Sequence, residues 1–279
     1  LMAAEPYALV LGVAQDGGHP QPGCRRDCCV GPEVSPHLTT CVAVIDEGRF
    51  WLLDAGPDLP RHLARINTLG VELAGVLLTH GHIGHYAGLA FLGREAMNAT
   101  RLPVWAAPRM SAFLAANVPW SRLITAGNIE VRRLDGPISL GARVQAEAFP
   151  VPHRDEYSET VGWRVTGSRR SLLYVPDTDG WDGWESPIEE YLATVDRALL
   201  DGTFFSRNEL DHRDQAAIAH PTVTESLLRF VALDDTERSK ILFTHLNHTN
   251  PLLRPDSDEY IRVFRSGMEV ATEGDIFEL

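Results

Sequence analysis

The chain has 279 residues, 44% hydrophobic and 23% charged, and its 25 basic and 38 acidic residues give a net charge of −13. Such an acidic chain is a poor partner for nucleic-acid backbones, which are bound through Lys and Arg neutralising phosphates. A small anionic substrate stays open, because a metal in one pocket outweighs remote surface charge, whereas a membrane span is excluded by the lack of any apolar run near roughly 20 residues. No signal peptide is visible and the cytoplasm is the favoured compartment, but the start, Leu1-Met2-Ala3-Ala4-Glu5-Pro6, reads as a processed end, which keeps the periplasm as the alternative if a leader was removed. Residues 7–13 form a buried apolar strand. A Gly/Pro-rich loop over residues 16–36 follows and holds Cys24, Cys28 and Cys29. Three thiols this close, with histidines elsewhere, point to a metal site more than to a disulfide framework, and a bound metal would order a loop of this length.

Residues 39–46 and 49–53 predict a hairpin turning at Glu47-Gly48. A helix is expected over 59–69, stopped by Gly70. Residues 75–78 are a short, wholly apolar strand of the kind buried on both faces. A helix is predicted over 86–97, a strand over 104–106 and a helix over 108–117 with proline at its start. Strands are expected over 129–134, 143–149, 160–166, 171–175 and 198–200, with a helix over 187–195 between the last two. A Thr222-capped helix over 222–231, a strand over 240–244 and a helix over 257–265 complete the reading. Strands with interspersed helices, without strict βαβ alternation and without a linker, fit one domain over 1–279, with two sheets packed face to face and helices outside.

The chemistry concentrates in Thr79-His80-Gly81-His82-Ile83-Gly84-His85. His80 and His82 leave the same face of an extended segment, and His85 enters from the first turn of the next helix. All three lie just past the carboxyl end of a buried strand, where loops converge into sites. Imidazole is the commonest zinc ligand and also suits iron and manganese.

The run from Leu77 to Leu89 resembles the His-x-His-x-Asp-His signature of the metallo-β-lactamase superfamily, and further landmarks follow it. Asp54-Ala55-Gly56 resembles the family's Asp-x-Gly. His153 after Pro150-Val151-Pro152, Asp177 after Leu173-Tyr174-Val175-Pro176, and His245 after Leu242-Phe243-Thr244 resemble the remaining metal-binding positions. The ends, Leu11 to Gly18 with Cys24 and Cys28-Cys29, and Asn247 to Pro251, resemble the branch of the coenzyme-PQQ synthesis protein B; the phosphoribosyl cyclic phosphodiesterase shares the plan.

The resemblance implies an α/β (α+β) four-layer αββα sandwich and a metallo-hydrolase working through metal-bound hydroxide. His80, His82 and His153 would hold one zinc, His85 and His245 a second, and Asp177 would bridge them; manganese or iron are alternatives. A structural zinc would lie between Cys24, Cys28, Cys29 and His248, a closed tetrahedral set. Asp54 is expected beside the ligands, accepting a ligand N–H, with helix capping as the other reading. His220, Asp155 and Glu156 are the candidates for a general acid, and Trp181 and Trp184 for a pocket wall, each against a plain structural role. Gly84 stands where the signature has an aspartate. The second metal would therefore be weakly held, and Gly84→Asp is expected to raise its occupancy.

The leading reading is hydrolysis of an ester-type bond in a small molecule, phosphodiester first, with lactone or β-lactam as subclasses. The alternatives are an iron-dependent oxygenase-like role in cofactor synthesis and a non-enzymatic, degenerate metal-binding protein. The expected partner is a small-molecule substrate, without nucleic acid or membrane; a homodimer is left open.

Overall fold

The computed structural model describes residues 5–32, 34–210 and 219–279, so the Leu1–Ala4 start lies outside the described residues. Two seven-stranded sheets form the centre. The first contains β1 (Tyr7–Gly12), β2 (Cys41–Asp46), β3 (Arg49–Leu53), β4 (Glu72–Leu77), β5 (Leu102–Ala106), β6 (Ile129–Arg133) and the C-terminal β14 (Ile276–Glu278), in the order β14-β1-β2-β3-β4-β5-β6. The second contains β7 (Ile138–Ser139), β8 (Gln145–Pro150), β9 (Val161–Thr166), β10 (Ser171–Val175), β11 (Arg197–Asp201), β12 (Ile241–Thr244) and β13 (Glu269–Val270), in the order β13-β12-β11-β10-β9-β8-β7. The predicted hairpin is β2–β3, and Glu47 and Gly48 both take positive φ in its turn, the twist that matches paired strands.

Side-chain alternation decides what each sheet covers. Val42, Val44, Trp51 and Leu53 face Trp163, Val165, Leu172 and Tyr174 in a core between the sheets. The opposite face of the first sheet packs on α1 (Leu59–Ile66), α3 (Pro108–Ala116) and α4 (Trp120–Thr125) through Leu59, Ile66, Leu114 and Leu123. The opposite face of the second packs on α5 (Ile188–Leu192), α6 (Val223–Phe230) and α8 (Asp258–Arg265) through Ile188, Leu192, Phe230 and Val263. The result is the αββα sandwich, in which α7 (Asp235–Arg238) adds one short turn. Thr222 caps α6 as predicted, in a reciprocal capping box with Glu225.

One helix differs from expectation. Instead of a continuous helix over 86–97, a single turn, α2 (Ile83–Tyr86), leads into a 3-10 stretch, Ala87–Leu92. The Gly88 N–H goes to Ala55 O at 2.8 Å, so it is lost to the helical ladder. The sequence also conceals α4 and the two-residue strands, which are too short to show a period.

Within α1 the apolar face carries a titratable group. Leu59, His62 and Ile66 are buried together against the sheet, and burial pushes the His62 imidazole down to about 4, Asp58 opposing only in part. Its unfolded form, with an ordinary value near 6.5, takes up a proton first as the pH falls. The stability held by neutral His62 is therefore complete above pH 6.5 and lost as the pH falls toward 4. At about 1.4 kcal/mol per pKa unit, roughly 3 kcal/mol of acid sensitivity is expected from this residue. His62→Leu should remove that increment, read as a smaller stability difference between pH 7.5 and pH 4.5 in urea unfolding; an unchanged difference would show that His62 carries no such linkage.

Candidate metal centre

The strand directions explain why distant residues meet. β3 and β4 run parallel, as do β10, β11 and β12, and β8 shares their sense because both it and β10 are antiparallel to β9. Their carboxyl ends deliver Asp54, His80, His153, Asp177, Asp201 and His245 to one edge of the sandwich. The two sheets are tied at that edge by Val161 N to Thr79 O at 3.0 Å and Gly81 N to Ser158 Oγ at 2.8 Å.

His80, His82 and His153 form one group. His80 Nε2 lies 2.9 Å and His153 Nε2 3.2 Å from His82 Nδ1. His85 and His245 form a second, joined by Asp16. Asp177 stands between the two groups: its Oδ2 is 2.8 Å from His85 Nε2, 3.3 Å from His245 Nε2 and 3.6 Å from His80 Nε2, and its Oδ1 is 3.8 Å from His153 Nε2. The six metal-binding residues read from the sequence are thus brought together.

The nitrogen facing away from the centre meets an oxygen in every case. His80 Nδ1 faces Thr79 Oγ1 at 2.9 Å, His85 Nδ1 faces Asp54 at 2.7 Å, His153 Nδ1 faces Asp179 at 3.0 Å, and His245 Nδ1 faces Thr203 Oγ1 at 2.9 Å. His82 is turned over, with Nε2 3.5 Å from Glu156. Outer partners of this kind put the proton on the outward nitrogen and leave the inward lone pair for a metal. The inward Nε2 atoms of His85 and His245 are buried and make no hydrogen bond. Bare buried nitrogens around a carboxylate are costly unless a cation is held there, so this donor set fits a metal.

The same neighbours set the charges. Burial opposes a charge on His85, yet Asp54 and Asp177 outweigh it and hold its imidazole well above the ordinary range. Burial and the neighbouring His85 push His80 well below it. Burial likewise works to raise Asp177, but His245, His85 and His153 hold it well below the usual carboxylate range.

Asp54 does not cap a helix, since Asp58 occupies the start of α1. Its carboxylate instead receives Thr79 N at 2.8 Å, faces His85 and accepts from Tyr174 at 3.3 Å. Its φ of 65° is unusual for a non-glycine residue. His220 joins the site: Nδ1 is 2.8 Å from Asp201 and 3.4 Å from Asp177. Burial favours the neutral ring, but Asp201 and Asp177 push His220 up to about 9. Asp155 and Glu156 stay on the exposed rim, Asp155 with Arg109. Trp181 and Trp184 pack instead with Phe230, Tyr191 and Phe149 in the helix-covered core, which removes them as a pocket wall. Asp16, Asp179, Asp201 and Thr203 were not found from the sequence; only Asp201, ending the apolar run Ala198-Leu199-Leu200, carries a local signal.

Cys24, Cys28, Cys29 and His248 also converge, with potential ligand atoms within 4.8 Å of one another. Burial and the adjacent thiols push Cys28 up to about 12, a proton hold that a cation would replace. Cys41 lies apart, buried, with its thiol toward Asp54 O. Between the thiol cluster and Asp16 opens a cavity of about 770 Å³ whose lining includes Arg25, Arg26, Phe204 and Asn247.

Residues 49–246 match the family model of the beta-lactamase superfamily domain. The chain is 28% identical to the coenzyme PQQ synthesis protein B of Methylobacterium nodulans, over 96% of this chain and 98% of that one. Among solved structures, the Zn(2+)-bound PqqB of Methylobacterium extorquens superposes with a TM-score of 0.83 at 24% identity, covering 98% of this chain and 100% of that one. A diphosphatase of the PhnP family superposes with a TM-score of 0.72 at 23% identity, covering 100% and 98%.

The outer partners generate a direct expectation. Asp54→Asn replaces the carboxylate that orients His85 and should weaken divalent-cation binding by about ten- to a hundredfold. Calorimetric titration checks this, with circular dichroism to show the fold intact; unchanged affinity would remove Asp54 from the centre.

Proposed function

The chain belongs to the β-lactamase superfamily, and on that premise we propose that it is a metal-dependent hydrolase of an ester-type bond in a small molecule, with an anionic phosphodiester as the favoured class. The observation that carries this reading is Asp177, whose two oxygens face both histidine groups at once. Divalent ions held there would activate water near neutral pH and polarise the bond to be cleaved. His80, His82 and His153 would hold one ion and His85 and His245 another, with Asp177 shared between them. Zinc suits the imidazole-rich set, and manganese or iron remain alternatives.

The remaining groups have distinct tasks. Asp54, Asp179 and Thr203 fix the rings. Asp201 is itself held by the Thr178 and Thr203 N–H groups at 3.0 and 2.9 Å, so it acts as a rigid anchor for His220 Nδ1. That leaves His220 Nε2 to pass a proton to the departing oxygen. Arg25 and Arg26 on the adjoining cavity suit an anionic substrate arm. The Cys24, Cys28, Cys29 and His248 cluster would hold a structural zinc that fixes this loop.

The name carried by relatives such as the Methylobacterium nodulans protein speaks of coenzyme synthesis, and a second reading is a step of that kind, with an iron-dependent oxygenase-like reaction as its form. Metal analysis of protein purified without added metal separates the two. Zinc or manganese together with turnover in a panel of phosphodiesters, lactones and β-lactams supports hydrolysis; iron with oxygen consumption overturns it. For the hydrolase, His220→Asn should lower kcat about a hundredfold on an alkyl phosphodiester. On a nitrophenyl ester, whose leaving group needs no proton, the loss should be small, with metal content unchanged. Equal losses on both substrates would deny His220 the proton-donating role.

A further inference from the structure

The signature lacks its carboxylate at Gly84, yet the structure places one there from elsewhere in the chain. The arm leaving β1 is strapped to the segment that follows His245: Leu246 N donates to Val13 O at 2.7 Å and Gln15 N donates to Leu246 O at 2.9 Å. Residues 15–18 then close into a turn through Gly18 N to Gln15 O at 2.7 Å, with Asp16 at its second position. This turn lies directly over α2. A Cβ built on Gly84 would stand 1.9 Å from Asp16 Oδ1 and 2.7 Å from Asp16 Cα. The space that a side chain at position 84 would fill is the space that Asp16 fills.

The carboxylate is aimed at the second histidine group. Asp16 Oδ1 is 3.8 Å from His85 Nε2 and 3.9 Å from His245 Nε2. These separations are too long for hydrogen bonds, and all three atoms are buried without a hydrogen-bond partner. His85 Nε2 also lies 2.8 Å from Asp177 Oδ2, out of line for a hydrogen bond. Ligands about 2.1 Å from one ion in a tetrahedron stand roughly 3.4 Å apart. Asp16, His85 and His245 bring their ligand atoms within 4.8 Å of one another, and Asp177 Oδ2 stands 2.8 and 3.3 Å from the two ring nitrogens, which is the scale of co-ligands.

We propose that Asp16 is the carboxylate ligand of the second metal, moved from the signature helix to the N-terminal arm, and that Gly84 is glycine because the arm must pass there. The proposal rests on the metallo-hydrolase reading and deepens it. It reverses the expectation for Gly84→Asp. A side chain at that position does not complete the site; it drives the Asp16 turn away.

The test is metal stoichiometry and affinity, measured on the full chain by mass-spectrometric metal analysis and by Mn(II) titration followed by electron paramagnetic resonance. Asp16→Ala and Asp16→Asn should each lose one equivalent from the histidine site, or weaken it at least tenfold. The Mn(II)–Mn(II) coupling of the wild type should vanish with it. Gly84→Asp alone should also lose that equivalent, because its Cβ meets Asp16 Cα as well as the Asp16 carboxylate. Unchanged metal retained by the Cys24, Cys28, Cys29 and His248 cluster marks each variant as folded. If both Asp16 variants keep the wild-type complement and affinity, or if Gly84→Asp alone raises occupancy, the proposal fails while the hydrolase reading stands. If the wild-type histidine site takes up no metal at all, both fail together.

Discussion

Everything at the centre depends on one constraint: each imidazole has its outward nitrogen facing an oxygen, so that its inward nitrogen is turned toward the centre. Asp54, Thr79, Asp179, Thr203 and Glu156 supply those oxygens to His85, His80, His153, His245 and His82. Without them five histidines in one place would be a crowd of adaptable donors and acceptors. With them the inward nitrogens are positioned before any ion arrives, which lowers the ordering cost that binding has to meet. Asp54 and His245 hold positive φ to reach these positions, and the sandwich has to be rigid enough to keep them there.

That rigidity comes from the layered core. Strands of both sheets end at the same edge, so the rings are set by backbone that is hydrogen-bonded on both sides. Thr79 illustrates the economy of the arrangement. Its N–H and hydroxyl both reach Asp54, its hydroxyl also faces His80, and its carbonyl receives Val161 from the other sheet. A side chain that reads as an unremarkable residue before the histidines therefore couples the sheets to the centre.

The N-terminal loop is part of the site rather than a decoration on it. The same stretch carries Asp16 against His85 and His245, lines a cavity with Arg25 and Arg26, and brings three thiols to His248. His248 follows shortly after His245, so the loop is clamped to the segment that also presents an active-site ring. Order in the loop and geometry at the centre are in this way one problem, and a cation at the thiol cluster would serve both. The degenerate-protein reading drew its force from a missing carboxylate, and a carboxylate occupies that place.

The sequence alone determined a good deal. The apolar runs before His80 and along β10 and the Thr222 cap are local properties, encoded by composition and capping chemistry within a few residues. The candidate ligand positions His80, His82, His85, His153, Asp177 and His245, together with the thiol set, were legible through the resemblance to the family signature. Asp179, Thr203 and Asp16 were not, because their partners lie far along the chain and nothing in the neighbouring residues marks the contact. The helix expected over 86–97 failed for the same reason, its Gly88 N–H being drawn to Ala55 across the fold. Gly84 shows the division most clearly. Read alone it is a lost ligand. Only the tertiary structure, by laying a distant turn against the space left without a side chain, decided that the glycine admits a carboxylate instead of lacking one.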